Sequence, residues 1–133
     1  MDVVTTIHQF TGYIVGLVVL VAAAVAFGRA RDAREFTAGP YVVASVLLDI
    51  QVLLGLAVYG MDGYWEHSSM LLRYVHPALA LLALVAAHVG IKRARGQQMA
   101  VDAHHAAGRG LVLALVLVFG AVMTSTLAVR GIL

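Results

Sequence analysis

Two histidines in this 133-residue chain stand at matching places in apolar segments, each above a face of small side chains. In helical geometry His76 shares a face with Ala80 and with the alanines at 83 and 87. His8 is followed on its own face by Gly12 and Gly16. A flat group can lie against such shallow faces, and neutral imidazole is a common iron ligand. The pattern therefore predicts that His8 and His76 hold one haem b by bis-histidine ligation.

The same residues also have a purely structural interpretation. A histidine can hydrogen-bond to a neighbouring helix, and glycine or alanine faces let membrane helices approach closely. Arg73 lies one turn before His76 on the same face, which makes it a candidate partner for a haem propionate. It is also suited to reach the membrane interface with its charged end.

The remaining histidines raise a second hypothesis. His88 follows His76 by 12 residues, so the two are about 120° apart around a helix and cannot address one site. A second, inner haem between His88 and His105 is one interpretation. The other is a hydrogen-bonded His88, with His104 and His105 hydrated at the membrane interface. His67 is expected to be solvated.

Asp49 and Gln51 fall near the middle of the second apolar segment. An ionisable residue inside a membrane span is costly and by default functional. Asp49 is expected either to pair with Arg109 or to accept a hydrogen bond from His88. Either contact would form a structural clasp or a proton path, of which we favour the clasp. Gln51 is expected to hydrogen-bond across helices.

Composition indicates a membrane protein, because 62% of the residues are hydrophobic and 12% are charged. Four apolar segments, at 6–28, 41–60, 70–91 and 106–128, are each long enough to span the hydrocarbon core. We therefore expect one all-α domain over 1–133, an integral membrane four-helix bundle. The absence of cysteine excludes disulfides, thiolate-held clusters and covalent c-type haem. The net charge of +2 is too small to indicate nucleic acid.

Charge placement predicts the orientation of these helices. Arginine and lysine cluster in the first and third loops, at 29–34 and 92–95, whereas the second loop carries Asp62 and Glu66. The positive-inside rule then places both termini outside, in the inner (plasma) membrane of a prokaryote. The first apolar segment is too long for a signal peptide and is expected to be a retained helix.

A weak internal repeat relates the two halves of the chain. His8 opens a segment that ends in Gly-Arg-Ala-Arg at 28–31, and His76 opens one that ends in Lys-Arg-Ala-Arg at 92–95. Two hairpins related about an axis along the membrane normal would bring the histidines to one depth on the outer side. A bundle whose facing helices each offer one ligand is well suited to hold a cofactor.

Three motifs resemble one half of the haem A synthase family, whose members oxidise the methyl group of haem O. The segment 6–12, Thr-Ile-His-Gln-Phe-Thr-Gly, is similar to a helix that opens with a histidine, and 51–55, Gln-Val-Leu-Leu-Gly, to a Gln-x-x-Leu-Gly helix. The segment 75–80, Val-His-Pro-Ala-Leu-Ala, resembles the next histidine helix. The last helix is similar to the one that begins a half in that family, in permuted order. The resemblance implies that His8 and His76 are haem ligands.

The chain departs from that family in two respects. The catalytic half of the family carries a glutamate one turn before its ligand histidine, where this chain has Val4 and Thr5. The long outer loops of the family are also missing. Haem binding therefore carries over to this chain, whereas hydroxylation does not.

Three functions follow from these patterns. The first is a membrane b-type cytochrome for one-electron transfer, because two histidine ligands leave iron without an open position. The second is a minimal haem-modifying enzyme, in which one ligand dissociates or a homodimer completes the substrate pocket. The third is a cofactor-free assembly or scaffold protein. Candidate partners are membrane lipid, a second copy, subunits of a respiratory complex and a quinone.

Overall fold

The computed structural model describes residues 3–131, which form four long helices and contain no strand. The helices are α1 (Val3–Arg31), α2 (Gly39–Met61), α3 (His76–Arg95) and α4 (Ala100–Val129). A 3-10 turn, Tyr64–Glu66, follows α2, and a π-helical turn, Leu71–Val75, leads directly into α3. All four are long and apolar enough to cross a membrane when the π turn is counted with α3. The prediction of an all-α protein with four such helices is confirmed.

Most of the helices extend beyond the apolar segments that predict them. The hydropathy pattern marks the stretch that fits the hydrocarbon core, whereas backbone hydrogen bonds continue into flanking polar residues. The largest difference is at α4, which begins at Ala100 and so includes Asp102 and His104. Pro40 stands in the first turn of α2, where a missing N–H costs no helical hydrogen bond.

Consecutive helices run in opposite directions around the bundle. α1 packs against α2 and α4, α3 packs against α4 and more sparsely against α2, and α1 therefore lies diagonally opposite α3. We call the end that carries Val3, Val129 and the 62–70 segment the terminal end. The end that carries the 32–38 and 96–99 segments is the opposite end. The starts of α1 and α3 consequently meet at the terminal end.

The core is built largely from small side chains. A Cβ atom added to Gly90 would lie 2.7 Å from the Cα atom of Gly110, so α3 and α4 touch through their backbones. Such close contact replaces hydrophobic burial as the source of packing energy between membrane helices. The buried alanines around this contact are Ala83, Ala86, Ala87, Ala94, Ala103, Ala107 and Ala114.

Candidate functional site

A cavity of about 340 Å³ opens between the helices at the terminal end. Its volume falls within the range of small-molecule and cofactor sites. His8 and His76 both line it, together with Gly12 and Ala80, four of the residues that the sequence assigns to the site. The structure adds several polar residues and one glycine that the sequence analysis did not assign to the cofactor: Gln9, Gln51, Gly55, Tyr59, Tyr64, Ser125, Thr126 and Arg130.

The start of α3 determines where His76 stands. Pro77 has no N–H, so the usual helical bond to the Arg73 carbonyl four residues earlier is missing. The hydroxyl of Tyr59 on α2 donates to that carbonyl instead, at 3.1 Å. The backbone N–H of His76 bonds to the carbonyl of Leu71, five residues earlier, which is the π geometry. Such π turns are frequent at functional sites.

The imidazole of His76 is oriented by the backbone of α4. Its Nδ1 atom lies 2.8 Å from the carbonyl oxygen of Ala121. Because a carbonyl oxygen can only accept, Nδ1 carries the ring proton. The Nε2 atom of neutral His76 therefore keeps its lone pair, which is the form that binds a metal ion.

His8 is held by Gln51 on α2. The side-chain nitrogen of Gln51 donates to the His8 carbonyl oxygen at 2.7 Å and lies 3.0 Å from His8 Nδ1. The Thr11 hydroxyl donates to the other end of the same amide, Oε1, at 2.6 Å. These partners fix the orientation of the amide, so Nδ1 of His8 accepts a hydrogen bond. The proton of the neutral ring is then on Nε2.

Two glycines make room for this arrangement. A Cβ atom at Gly12 would lie 3.0 Å from the Gln51 amide nitrogen, and one at Gly55 would lie 2.8 Å from Cε1 of His8. Gly16 has a different neighbour, since its Cβ atom would meet Val118 of α4 at 3.9 Å. It is not among the residues that line the cavity. Gly16 therefore lies outside the cavity, beside α4.

The separation of the two imidazoles matches that of two ligands of one metal ion. Their ring centres are 6.3 Å apart and their planes are 82° from parallel. A metal ion stands about 2 Å from each ligating nitrogen, and about 1 Å more to each ring centre gives a separation of about 6 Å. One adjustment is needed, because the His8 proton has to move from Nε2 to Nδ1. The Gln51 amide would turn to accept it and lose its bond to the His8 carbonyl.

The protein alone does not complete a metal site here. Within residues 3–131 there is no group of three or more histidine, cysteine, aspartate or glutamate side chains that could hold a metal ion. Two imidazoles fit a metal whose other ligands come from elsewhere, as the four nitrogens of a porphyrin do. The donor set therefore fits haem and does not fit a structural zinc ion.

The cation beside the cavity differs from the one expected. Arg73 packs its guanidinium over the ring of Tyr74, 5.0 Å from the ring centre, and is not among the lining residues. Arg130, just after α4, lines the cavity instead. In a regular α-helix Arg73 would share a face with His76, but the π turn changes that register. Arg130 lies just beyond the end of the last apolar segment, and this position is the sequence feature that could have indicated it.

The expectation that His104 is hydrated is wrong. Its side chain is completely buried, with Nδ1 2.6 Å from the Tyr41 hydroxyl. Its Nε2 atom donates to the carbonyls of Arg34 and Glu35 at 3.2 and 3.3 Å. Because α4 begins earlier than its apolar segment, His104 points into the bundle, and the 32–38 segment covers it. Both ring nitrogens are satisfied, so His104 is structural.

The other histidines have separate surroundings. Nε2 of His88 donates to Oδ1 of Asp49 at 2.8 Å, one of the two contacts expected for Asp49. The ring of His105 packs instead against Phe27 of α1, so the structure does not bring His88 and His105 together. His67 is exposed, as expected, and its Nδ1 accepts from the backbone N–H of Ser69.

The resemblance to the haem A synthases rests on the three sequence motifs alone. Comparisons of the chain with models of known protein families, with curated proteins and with solved structures find no match.

Proposed function

We propose that the protein is a membrane b-type cytochrome that binds one haem b between His8 and His76 and transfers single electrons. One observation carries the proposal. The imidazoles of these two residues come from diagonally opposed helices, line the same cavity and have their ring centres 6.3 Å apart. The orientation with both termini outside, the two-hairpin repeat and the prokaryotic inner membrane belong to the same proposal.

The surrounding residues have distinct roles in this function. Bound haem supplies a one-electron couple, and two histidine ligands leave no open position for oxygen or substrate. Ala121 orients His76 through its carbonyl, and Gln51 holds His8. Arg130 replaces Arg73 as the cation for the propionates. The walls between these polar groups are apolar: Val15, Leu48, Val52, Leu56 and Val118.

The charge of the cavity favours electron transfer over haem modification. No aspartate or glutamate is found among the lining residues in the described part of the chain. This agrees with the sequence before His8, where Val4 and Thr5 stand in place of the glutamate of the haem A synthases. The lining therefore offers two imidazoles and a cation, while the Asp62 carboxylate, outside the lining, accepts at 2.9 Å from the hydroxyl of the lining residue Thr5.

The decisive experiment is a reduced-minus-oxidised absorption spectrum of the purified protein, with pyridine haemochrome analysis to identify and count the haem. We expect a low-spin b-type spectrum with one haem per chain. His8→Ala and His76→Ala should each abolish that spectrum, because the remaining imidazole cannot hold the iron in a low-spin state alone. His67→Ala and His88→Ala are the matched controls and should keep it.

Three results would contradict the proposal. A colourless protein, after expression with ample haem, would exclude haem binding and leave the scaffold function. Co-purified haem O or haem A would indicate the haem-modifying enzyme. A full b-type spectrum in both alanine variants would place the haem elsewhere.

A further inference from the structure

A polar pair lies on the outer surface of the bundle, and neither of its residues, Asp49 and His88, lines the cavity. Asp49 is ten residues after the start of α2 and His88 is seven before the end of α3. At 1.5 Å per residue these positions are about 15 and about 10 Å from the opposite end of the bundle. In a bilayer the pair therefore lies within the hydrocarbon core.

Exposure at this depth requires an explanation. The side chains of His88 and Asp49 are 49% and 32% exposed, respectively. Polar and ionisable groups inside a membrane normally face the bundle interior or a water-filled cavity, because contact with hydrocarbon is costly. Their own hydrogen bond, at 2.8 Å, satisfies one atom of each residue. In the stretch 3–131 neither Nδ1 of His88 nor Oδ2 of Asp49 has a hydrogen-bond partner.

The tautomer of His88 follows from its partner. The Asp49 carboxylate accepts from Nε2–H, so Nδ1 of the neutral ring carries a lone pair. That atom can accept from a hydroxyl group. The position therefore suits a ligand that presents a hydroxyl group.

His88 stands in the wall of a groove between α2 and α3. The groove has a volume of about 490 Å³ and runs from His88 towards Lys92 and Arg95 at the opposite end. That volume is large enough for a single ring. The remaining lining residues are apolar, apart from one serine: Val42, Ser45, Val46 and Ile91.

We propose that this groove binds the headgroup of a lipid-soluble quinol, with Nδ1 of His88 accepting a hydrogen bond from a quinol hydroxyl. Asp49 is a positioning residue that orients the His88 ring. A quinol reaches the groove from the bilayer and carries hydroxyl groups on opposite sides of a flat ring. An anionic phospholipid could place a phosphate near Lys92 and Arg95, but only acyl chains would reach the depth of His88.

The test is the binding of decylubiquinol, kept reduced under argon, to the full chain in neutral phosphatidylcholine nanodiscs, followed by isothermal titration calorimetry. We expect saturable binding of one molecule per chain. His88→Ala should weaken it about tenfold, which corresponds to one lost hydrogen bond. Asp49→Asn should weaken it less, because the ring stays in place but loses its charged partner. His67→Ala should leave the affinity unchanged.

A second variant separates ligand binding from folding. His88→Gln keeps a donor for Asp49 and removes the ring atom that faces the ligand, so it should fold normally and still lose affinity. The proposal is overturned by an absence of saturable binding, by equal affinity in the wild type and His88→Gln, or by displacement of the probe by phosphatidylglycerol. It is also overturned if cross-linking shows His88 covered by a second copy. The titration records heat and not a haem signal, so its result is independent of the proposed cytochrome function.

Discussion

At the opposite end of the bundle, α3 and α4 touch through Gly90 and Gly110, and His104 uses both ring nitrogens within the protein. At the terminal end, the helices surround a cavity in whose wall His8 and His76 meet. At each of these two histidines, only Nδ1 is held by a neighbouring helix, and Nε2 remains unused by the described residues. Small residues thus allow the helices to touch at one end of the bundle and leave space for the cavity at the other.

A histidine in this protein is therefore not identified as a ligand by its residue type alone. His104 is the most deeply buried histidine, yet it holds the 32–38 segment against α4. His8 and His76 are only partly buried, yet each leaves one ring nitrogen beside a cavity. The number of ring nitrogens already bonded inside the protein separates the structural histidine from the candidate ligands.

The largest effect is expected from breaking the closed end. Gly110→Ala would place a Cβ atom 2.6 Å from the Gly90 Cα atom and 2.8 Å from the Ala86 carbonyl oxygen. Since backbone atoms cannot move aside cheaply, the free energy of unfolding should fall by about 3 kcal/mol. The measurement is unfolding by sodium dodecyl sulfate in mixed micelles, followed by circular dichroism. Gly28→Ala is the control, with nothing within 4 Å of its Cβ atom, and unchanged stability of Gly110→Ala would refute the backbone contact.

A smaller effect is expected from the structural histidine. Tyr41→Phe removes the hydroxyl that lies 2.6 Å from His104 Nδ1 and leaves that buried atom without a partner. The free energy of unfolding should fall by about 2 kcal/mol. The haem spectrum should not change, because the cavity is at the other end of the bundle. Tyr74→Phe, at an exposed tyrosine outside the cavity lining, is the control, and a lost haem signal in Tyr41→Phe would show that the two ends are coupled.

The smallest effect on stability, with a specific effect on the site, is expected at Gly55. Gly55→Ala would bring a Cβ atom within 2.8 Å of His8 Cε1, so the ring must shift. The unfolding free energy should fall by about 1 kcal/mol, while haem titration should show at least about tenfold weaker binding. Gly60→Ala on the same helix meets nothing within 4 Å and serves as the control. Equal haem affinity in the two variants would mean that the His8 position is unimportant.

Arg73 and Asp49 show which contacts the residue pattern predicts and which it leaves undecided. Arg73 lies one helical turn before His76, but Pro77 and the π turn change the register, and Arg130 lines the cavity. For Asp49 the pattern leaves two partners open, and helix packing selects His88. Gln51 was expected to bond across helices, and it does, although its partner His8 could not be named in advance.

Hydropathy determines the four helices, because in hydrocarbon a backbone must satisfy its own hydrogen bonds and an apolar run of sufficient length has no alternative to a helix. The alternating direction of those helices then puts His8 and His76 at one end of the bundle. These helices are apolar on nearly every side, so periodicity does not say which face meets which neighbour. Helix packing alone therefore decides that His104 is covered, that His88 meets Asp49, and that two imidazoles face each other across a cavity.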